Sequence, residues 1–234
     1  MTRTTENAGK LYVVSTPIGS LDDMTFRAVN VLKSADIIAS EDTRHTSILL
    51  KHYDIKTKQM SYHDYNKEKQ TPRILSLLLE GQNAAVVSDA GTPGISDPGF
   101  YLIRECIRND IGIIPIPGAS SVMAAIVISG LPTDRFCFEG FLPKTKGKLT
   151  NRLDELKNDK RTLIFFESPY RITKTLTVMI EVFGDRNAFV GRELTKKFEQ
   201  AYRHNLSELL DIFEQKTPKG EFVLVVAGNR DNIG

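Results

Sequence analysis

A chain of 234 residues, 41% of them apolar and 26% charged, can bury a core in one large domain or two small ones, and its composition excludes a disordered polymer. A net charge of +2 excludes a molecule that draws nucleic acid by overall charge, so any such contact must come from local clusters. No stretch is apolar for long enough to cross a bilayer, and two cysteines without CxxC spacing, Cys106 and Cys137, read as buried free thiols of a reducing cytoplasm.

In chain order, residues 1–10 read as a polar leader that lacks the apolar stretch of a secretory signal. Residues 11–15 (LYVVS) predict a first strand. Asp22 and Asp23 then read as a cap that starts a segment carrying Phe26, Val29 and Leu32 at helical spacing. A strand at 37–39, a helix at 43–53, a short strand near Met60 and a helix at 71–80 follow. Next come a strand at 84–87, a helix at 98–108, a strand at 113–116 and a helix at 120–129. Strands and helices alternating at these lengths predict βαβ units and a largely parallel sheet. After Gly130-Leu131-Pro132 the pattern changes. Strands are predicted at 136–139, 162–166, 188–190, 200–203 and 222–227, with helices at 149–158, 171–183 and 206–213. Two strands around residue 199 with no helix between them point to antiparallel pairing. The reading is therefore α/β in two domains: residues 11–130 with a mainly parallel sheet, and 131–234 with a mixed one.

The richest motif is SDAGTPGISDPG at 88–99, after a buried strand. Three glycines and two prolines fix an unusual loop, and Asp97-Pro98 signals a helix start. The loop lies where open α/β sheets bind ligands, but it has neither GxGxxG spacing nor the Lys of a phosphate loop. STPIG (15–19), SEDTR (40–44) and PGASS (117–121) also follow strands, and loops from one parallel sheet converge on one edge. PGASS opens a helix whose free N–H groups suit an anion. For Glu41 and Asp42 both helix capping and chemistry are open. Later, ESPYR (167–171), GRELTK (191–196) and KGE (219–221) stand at strand ends. Lys144, Lys146, Lys148 and Arg152 form a run without an acidic residue, either a solvated helix start or a phosphate-contacting patch.

This series of motifs, in this order, resembles the tetrapyrrole methylase superfamily, in its ribosomal RNA small subunit methyltransferase I branch. The likeness runs from about Lys10 to Gly228, nearly the whole chain. Relatives that methylate porphyrin precursors open with Gly-Ala-Gly-Pro-Gly-Asp where this chain has residues 15–20, and they lack the long SDAGTPGISDPG form. One departure is Arg203-His204-Asn205, where the resemblance calls for a tighter Arg-Gly surface turn.

The resemblance implies two α/β domains with S-adenosylmethionine in the cleft between them, a homodimer, and methylation of the ribose 2′-oxygen of a decoding-centre cytidine in 16S ribosomal RNA. Free RNA and the assembled small subunit both remain open as substrate. It further implies that Ser88, Asp89, Ala90, Gly91, Pro93 and Asp97 line the cofactor, with Ser120, Ser121, Glu167, Leu194, Gly220 and Glu221 completing the pocket. Thr16, Pro17, Glu41 to Arg44 and residues 62–66 would face the RNA. A ribose hydroxyl needs its proton removed as it attacks, so Asp42, Glu41 or His63 is a candidate base, and Arg44 with the lysine patch a candidate phosphate holder. His63 with no catalytic task is an equally open reading. No metal is implied, because displacement at a sulfonium needs no Lewis acid and the four histidines form no ligand cluster. The alternatives are a small-molecule methyltransferase acting on a tetrapyrrole-like ring and a non-catalytic binding or assembly protein on the ribosome.

Overall fold

The computed structural model describes residues 8–215 and 219–229, so residues 1–7 of the predicted leader lie outside the described residues. Packing divides the chain into two compact units, 1–120 and 121–234. The sequence pattern changes at residue 130. The structural division falls earlier because the helix Ser121–Ile128 packs on the last strand of the second unit.

The first unit contains β1 (Leu11–Val14), α1 (Phe26–Ser34), β2 (Ile37–Ser40), α2 (Thr43–His52), β3 (Gln59–Ser61), α3 (Lys67–Leu79), β4 (Ala84–Val87), α4 (Gly99–Arg108) and β5 (Ile113–Ile116). All pairs in its sheet are parallel, in the order β3-β2-β4-β1-β5. Short continuous apolar strands suit a sheet covered on both faces. Alternate residues of β4 point opposite ways: Ala85 and Val87 meet Ala28, Leu32 and Leu49, while Ala84 and Val86 meet Ile74, Leu78 and Leu102. Hence α1 and α2 cover one face, and α3 and α4 the other.

Two local expectations are corrected. Asp22 and Asp23 lie in a separate 3₁₀ turn, Leu21–Asp23, and the cap of α1 is Thr25, whose Oγ1 accepts from Ala28 N at 3.1 Å. Phe26 is 92% exposed, and the buried face is Ala28 and Leu32. Residues spaced by three drift about 60° around a helix at each step, so Phe26 and Leu32 do not share a face. Helix α3 starts at Lys67 and carries Pro72 inside it, where the sequence suggested a start near residue 71. One forfeited backbone bond is tolerated because Ile74 and Leu78 anchor the helix in the core.

The second unit contains α5 (Ser121–Ile128), β6 (Phe136–Phe141), α6 (Lys146–Leu156), β7 (Thr162–Glu167), α7 (Ile172–Phe183), β8 (Asn187–Arg192), β9 (Gln200–Asn205), α8 (Leu206–Glu214) and β10 (Phe222–Val226). Its sheet runs β6-β7-β10-β8-β9, with β6 and β7 parallel and every other pair antiparallel. β8 and β9 pair as a hairpin, as the missing helix foretold. Arg203, His204 and Asn205 end β9, so the departure from the family pattern lies in a strand and not in a surface turn. Phe165, Val190, Leu224 and Val226 pack with Leu176, Met179 and Phe183 of α7 and Leu209 of α8. Each such fully buried side chain contributes about 1.5–3 kcal/mol relative to exposure. Cys106 is buried and Cys137 half-buried, and both are unpaired. Among the described residues no helix is long and apolar enough to cross a membrane, and no group of His, Cys, Asp and Glu is arranged to hold a metal.

Candidate active site

A parallel sheet sends the loops after all five of its strands to one edge, and in the first unit these loops bind one another. Thr16 and Gly91 exchange backbone hydrogen bonds of 2.9 and 3.0 Å, and Thr16 Oγ1 donates to Ser88 O at 3.2 Å. Ser15 Oγ lies 3.0 Å from Thr92 Oγ1, which in turn donates to Ala119 O at 3.3 Å. Loops following β1, β4 and β5 are thus stitched together. Thr16 and Pro17, implied to face RNA, are instead buried by this stitching. Gly91 sits at φ +78°, a conformation in which any side chain is strained whether or not a ligand is near.

Within the loop, Asp97 Oδ1 accepts from Gly94 N at 2.8 Å and from Gly99 N at 2.7 Å. It therefore closes the loop and caps the first turn of α4. Burial pushes the Asp97 carboxyl up from its ordinary value, against the pull of those N–H groups. Ser88 is buried, whereas Ala90 presents its side chain to solvent.

The SEDTR turn joins the same edge. Asp42 N donates to Asp89 Oδ1 at 3.0 Å, and Asp89 N donates to Glu41 Oε2 at 3.3 Å. Burial raises Glu41 above the ordinary glutamate value, with the carboxylates of Asp89, Asp97 and Asp64 adding repulsion against the Asp89 hydrogen bond. Asp42 moves the other way. Its Oδ1 accepts from Arg44 N at 2.9 Å and Arg44 Nε at 3.1 Å, and its Oδ2 from the guanidinium at 2.7 Å. Those bonds hold its carboxyl well below the usual carboxylate range. Arg44 is otherwise open to solvent, 90% of its side chain being exposed.

After β3 the chain is divided by residue. Tyr62 is buried, its hydroxyl 3.0 Å from Thr71 Oγ1 and its pKa pushed up to about 12, chiefly by burial. Tyr65 is 99% exposed. Asn66 Oδ1 accepts from His63 N at 2.9 Å, which fixes the orientation of that amide. Its Nδ2 then donates to Ser61 O at 3.1 Å and to His63 Nε2 at 3.3 Å. The other ring nitrogen of His63, Nδ1, is buried without a hydrogen-bond partner among the described residues.

In the second unit, Glu167 is fully buried. Its Oε1 accepts from Ser168 N at 2.7 Å and its Oε2 from Thr175 Oγ1 at 2.5 Å, with the Arg171 guanidinium 3.6 Å away. Arg171 also donates to the carbonyls of Leu142 and Pro143, each at 2.9 Å. The GRELTK and KGE turns interlock: Glu193 Oε1 accepts from Glu221 N at 2.9 Å, and Lys196 Nζ bridges Glu193 and Glu221 at 3.0 Å each. Glu193 and Thr195 have φ of 51° and 63°, left-handed conformations uncommon outside glycine, and Leu194 between them is buried. Strain of this kind clusters at functional turns. Nothing in the identities of residues 193 and 195 signals it. Gly220 and Ser121 stand respectively before β10 and at the start of α5.

The basic run is less free than its sequence suggests. Arg152 pairs with Glu139 at 2.5 Å and with Glu155, and Lys146 lies 3.3 Å from Glu181. Lys144 and Lys148 are exposed and have no ion-pair partner among the described residues.

Residues 10–210 match the model of the family described as Tetrapyrrole (Corrin/Porphyrin) Methylases. The Ribosomal RNA small subunit methyltransferase I of Halalkalibacterium halodurans is 49% identical over 97% of this chain and 79% of its own. The protein of the same name from Synechocystis is 51% identical over 94% of this chain and 79% of its own. Among solved structures, a uroporphyrin-III-C-methyltransferase from Thermus thermophilus superposes with a TM-score of 0.68 at 19% identity, covering 94% of both chains. That degree of likeness speaks to the fold alone.

Proposed function

Because the chain belongs to the tetrapyrrole methylase family, in its ribosomal RNA small subunit methyltransferase I group, we propose that it transfers a methyl group from S-adenosylmethionine to the ribose 2′-oxygen of a decoding-centre cytidine in 16S ribosomal RNA. Near-full-length similarity to proteins of that name, at about half identity, is the observation that carries the reading. The STPIGS stretch at residues 15–20, where porphyrin methylases have their Gly-Ala-Gly-Pro-Gly-Asp opening, and the long SDAGTPGISDPG loop at 88–99 both favour RNA over a tetrapyrrole ring. A homodimer is part of the proposal.

The first unit suits such a donor. Glu41, Asp89, Asp97 and Asp64 gather carboxylates at one sheet edge, and burial with mutual repulsion raises Glu41 and Asp97. A ligand bearing cationic ammonium and sulfonium groups relieves that repulsion. When bound, the donor supplies an electrophilic methyl group. The chain's own part is to orient. The stitched loops hold the backbone of residues 88–91 in place, which would orient a bound donor without later rearrangement. Arg44, Lys144 and Lys148 are proposed to hold phosphates, which positions RNA without reading its sequence.

The test is mass spectrometry of ribosomal RNA nucleosides from cells with and without the protein, paired with alkaline hydrolysis. A ribose product survives alkali as a resistant dinucleotide, since a methylated 2′-oxygen cannot attack the adjacent phosphate. Methylation confined to a base, or a methylated porphyrin precursor with no RNA product, refutes the proposal.

A further inference from the structure

The three candidate bases read from the sequence, Asp42, His63 and Glu41, stand at the carboxyl edge of the parallel sheet among further carboxylates, and their surroundings separate them. Asp42 has both oxygens engaged by Arg44 and caps α2. His63 has Nε2 engaged by Asn66, and Nδ1 is sealed from solvent. Glu41 differs from both. One of its oxygens, Oε2, is anchored to the Asp89 N–H, while Oε1 accepts no hydrogen bond among the described residues. Asp89 is held in turn by the Asp42 N–H, so the anchor of Glu41 belongs to the same stitched loops that are proposed to hold the donor.

From this geometry we propose that Glu41 is the proton acceptor for the ribose 2′-hydroxyl, through its open oxygen Oε1. The inference rests on the ribose reading above. In the reaction the O2′–C bond forms and the S–C bond breaks, its electron pair remaining on sulfur. The O–H pair stays on O2′, and the proton passes to Glu41 Oε1, which releases it to water. The groups facing Glu41 are Asp89 and Asp97 from the loop after β4 and Asp64 from the segment after β3. No cation acts on Glu41 among the described residues; Arg44 pairs with Asp42, and Lys67 with Asp64. Burial and these carboxylates strengthen its hold on a proton, and a base whose pKa is nearer the working pH is the more effective one.

A carboxyl raised in the folded state contributes most when protonated, and that contribution is lost as pH rises through the folded pKa. Above that folded pKa the ionised Glu41 therefore costs stability, and Glu41→Gln, which keeps an acceptor for the Asp89 N–H, should not lower the melting temperature there. The experiment is single-turnover methylation of small ribosomal subunits lacking the modification, with saturating S-adenosylmethionine, across pH. Wild type should lose rate as pH falls through a single ionisation above the ordinary glutamate value. Glu41→Gln should be slower by about 10²–10⁴-fold and should lose that acid limb. A Gln variant within a few-fold of wild type, or a slow one that keeps the acid limb unchanged, overturns the assignment. If Glu41→Gln fails to fold, Glu41→Asp decides: a reduced rate with a shifted acid limb supports the assignment, and an unshifted limb overturns it. A wild-type protein that yields no 2′-O-methyl product refutes the ribose reading itself, which is a different outcome.

Discussion

Replacing each of three glycines of the second unit by alanine should produce three different results, although the chemical change is identical. Gly147 lies in the first turn of α6, where an added Cβ would meet nothing within 4 Å. Alanine there should stabilise by up to about 0.5–1 kcal/mol, because glycine has more backbone freedom to lose. Gly184 ends α7 at φ +77° and ψ −175°, also with open space around it. That region is nearly exclusive to glycine, so strain alone should cost about 1–3 kcal/mol. Gly220, at φ +99°, adds a collision: its Cβ would stand 2.6 Å from Cγ, Cδ and Oε1 of Glu193. Moving that carboxylate breaks its bonds to Glu221 N and Lys196, a further loss of about 1.5–3 kcal/mol. At roughly 2–4 °C per kcal/mol for a chain of this size, Gly147→Ala should melt slightly higher. Gly184→Ala should melt lower by about 2–12 °C, and Gly220→Ala lower still. Thermal unfolding of the full chain followed by far-ultraviolet circular dichroism reads all three. If Gly220→Ala melts no lower than Gly184→Ala, Glu193 is not locked against the turn, and the interlock described above is loose.

Other expectations are narrower. Asp42→Asn keeps a cap for α2 but removes a carboxyl held below its ordinary pKa, a contribution present above that value and lost as pH falls through the folded pKa. Its stability should accordingly decline less steeply in acid than that of wild type, and its single-turnover rate should stay within a few-fold. Thr175→Val leaves Glu167 Oε2 buried without its donor, and urea unfolding should show a loss of about 1–3 kcal/mol or more. Lys144→Glu with Lys148→Glu should flatten the dependence of RNA affinity on salt by about one unit of slope for each lysine. An unchanged slope makes the two lysines ordinary solvated surface.

Much of this architecture was readable from the chain. Runs such as LYVV and AAVV, too short for helices and too apolar for one-sided strands, announced a sheet buried on both faces. The convergence of the loops followed from that parallel order, and the reciprocal bonds of Thr16 with Gly91 and of Asp89 with its neighbours bear it out. What escaped the sequence depends on partners distant along it. Arg152 looks free inside the basic run at 143–152, yet Glu139 stands 13 residues before it and Glu155 just after the run ends, and Thr16 looks exposed because the loop that covers it starts at Ser88. Asp42 and Glu41 are adjacent carboxylates with opposite pKa shifts. The difference comes from Arg44 on one side and from burial, with repulsion from Asp89 and Asp97 added to it, on the other, which neighbouring positions alone do not reveal. Left-handed backbone at Glu193 and Thr195 carries no compositional mark, since turns of that kind normally announce themselves with glycine or asparagine.

The strand orders have a consequence for how copies of this chain can meet. An open sheet ends in unpaired backbone groups that invite a neighbouring chain to add a strand and, repeated, to aggregate. Each of the four outer strands here is blunted. β3 is only three residues long, and β5 carries Pro115, which has no N–H to donate. β6 changes register between Phe138 and Gly140, which twists its rim, and β9 reads QAYRHN, rich in polar and cationic side chains. Association by continuing either sheet is disfavoured at every edge among the described residues, so the parallel strands whose loops bind one another remain out of reach of edge-to-edge growth.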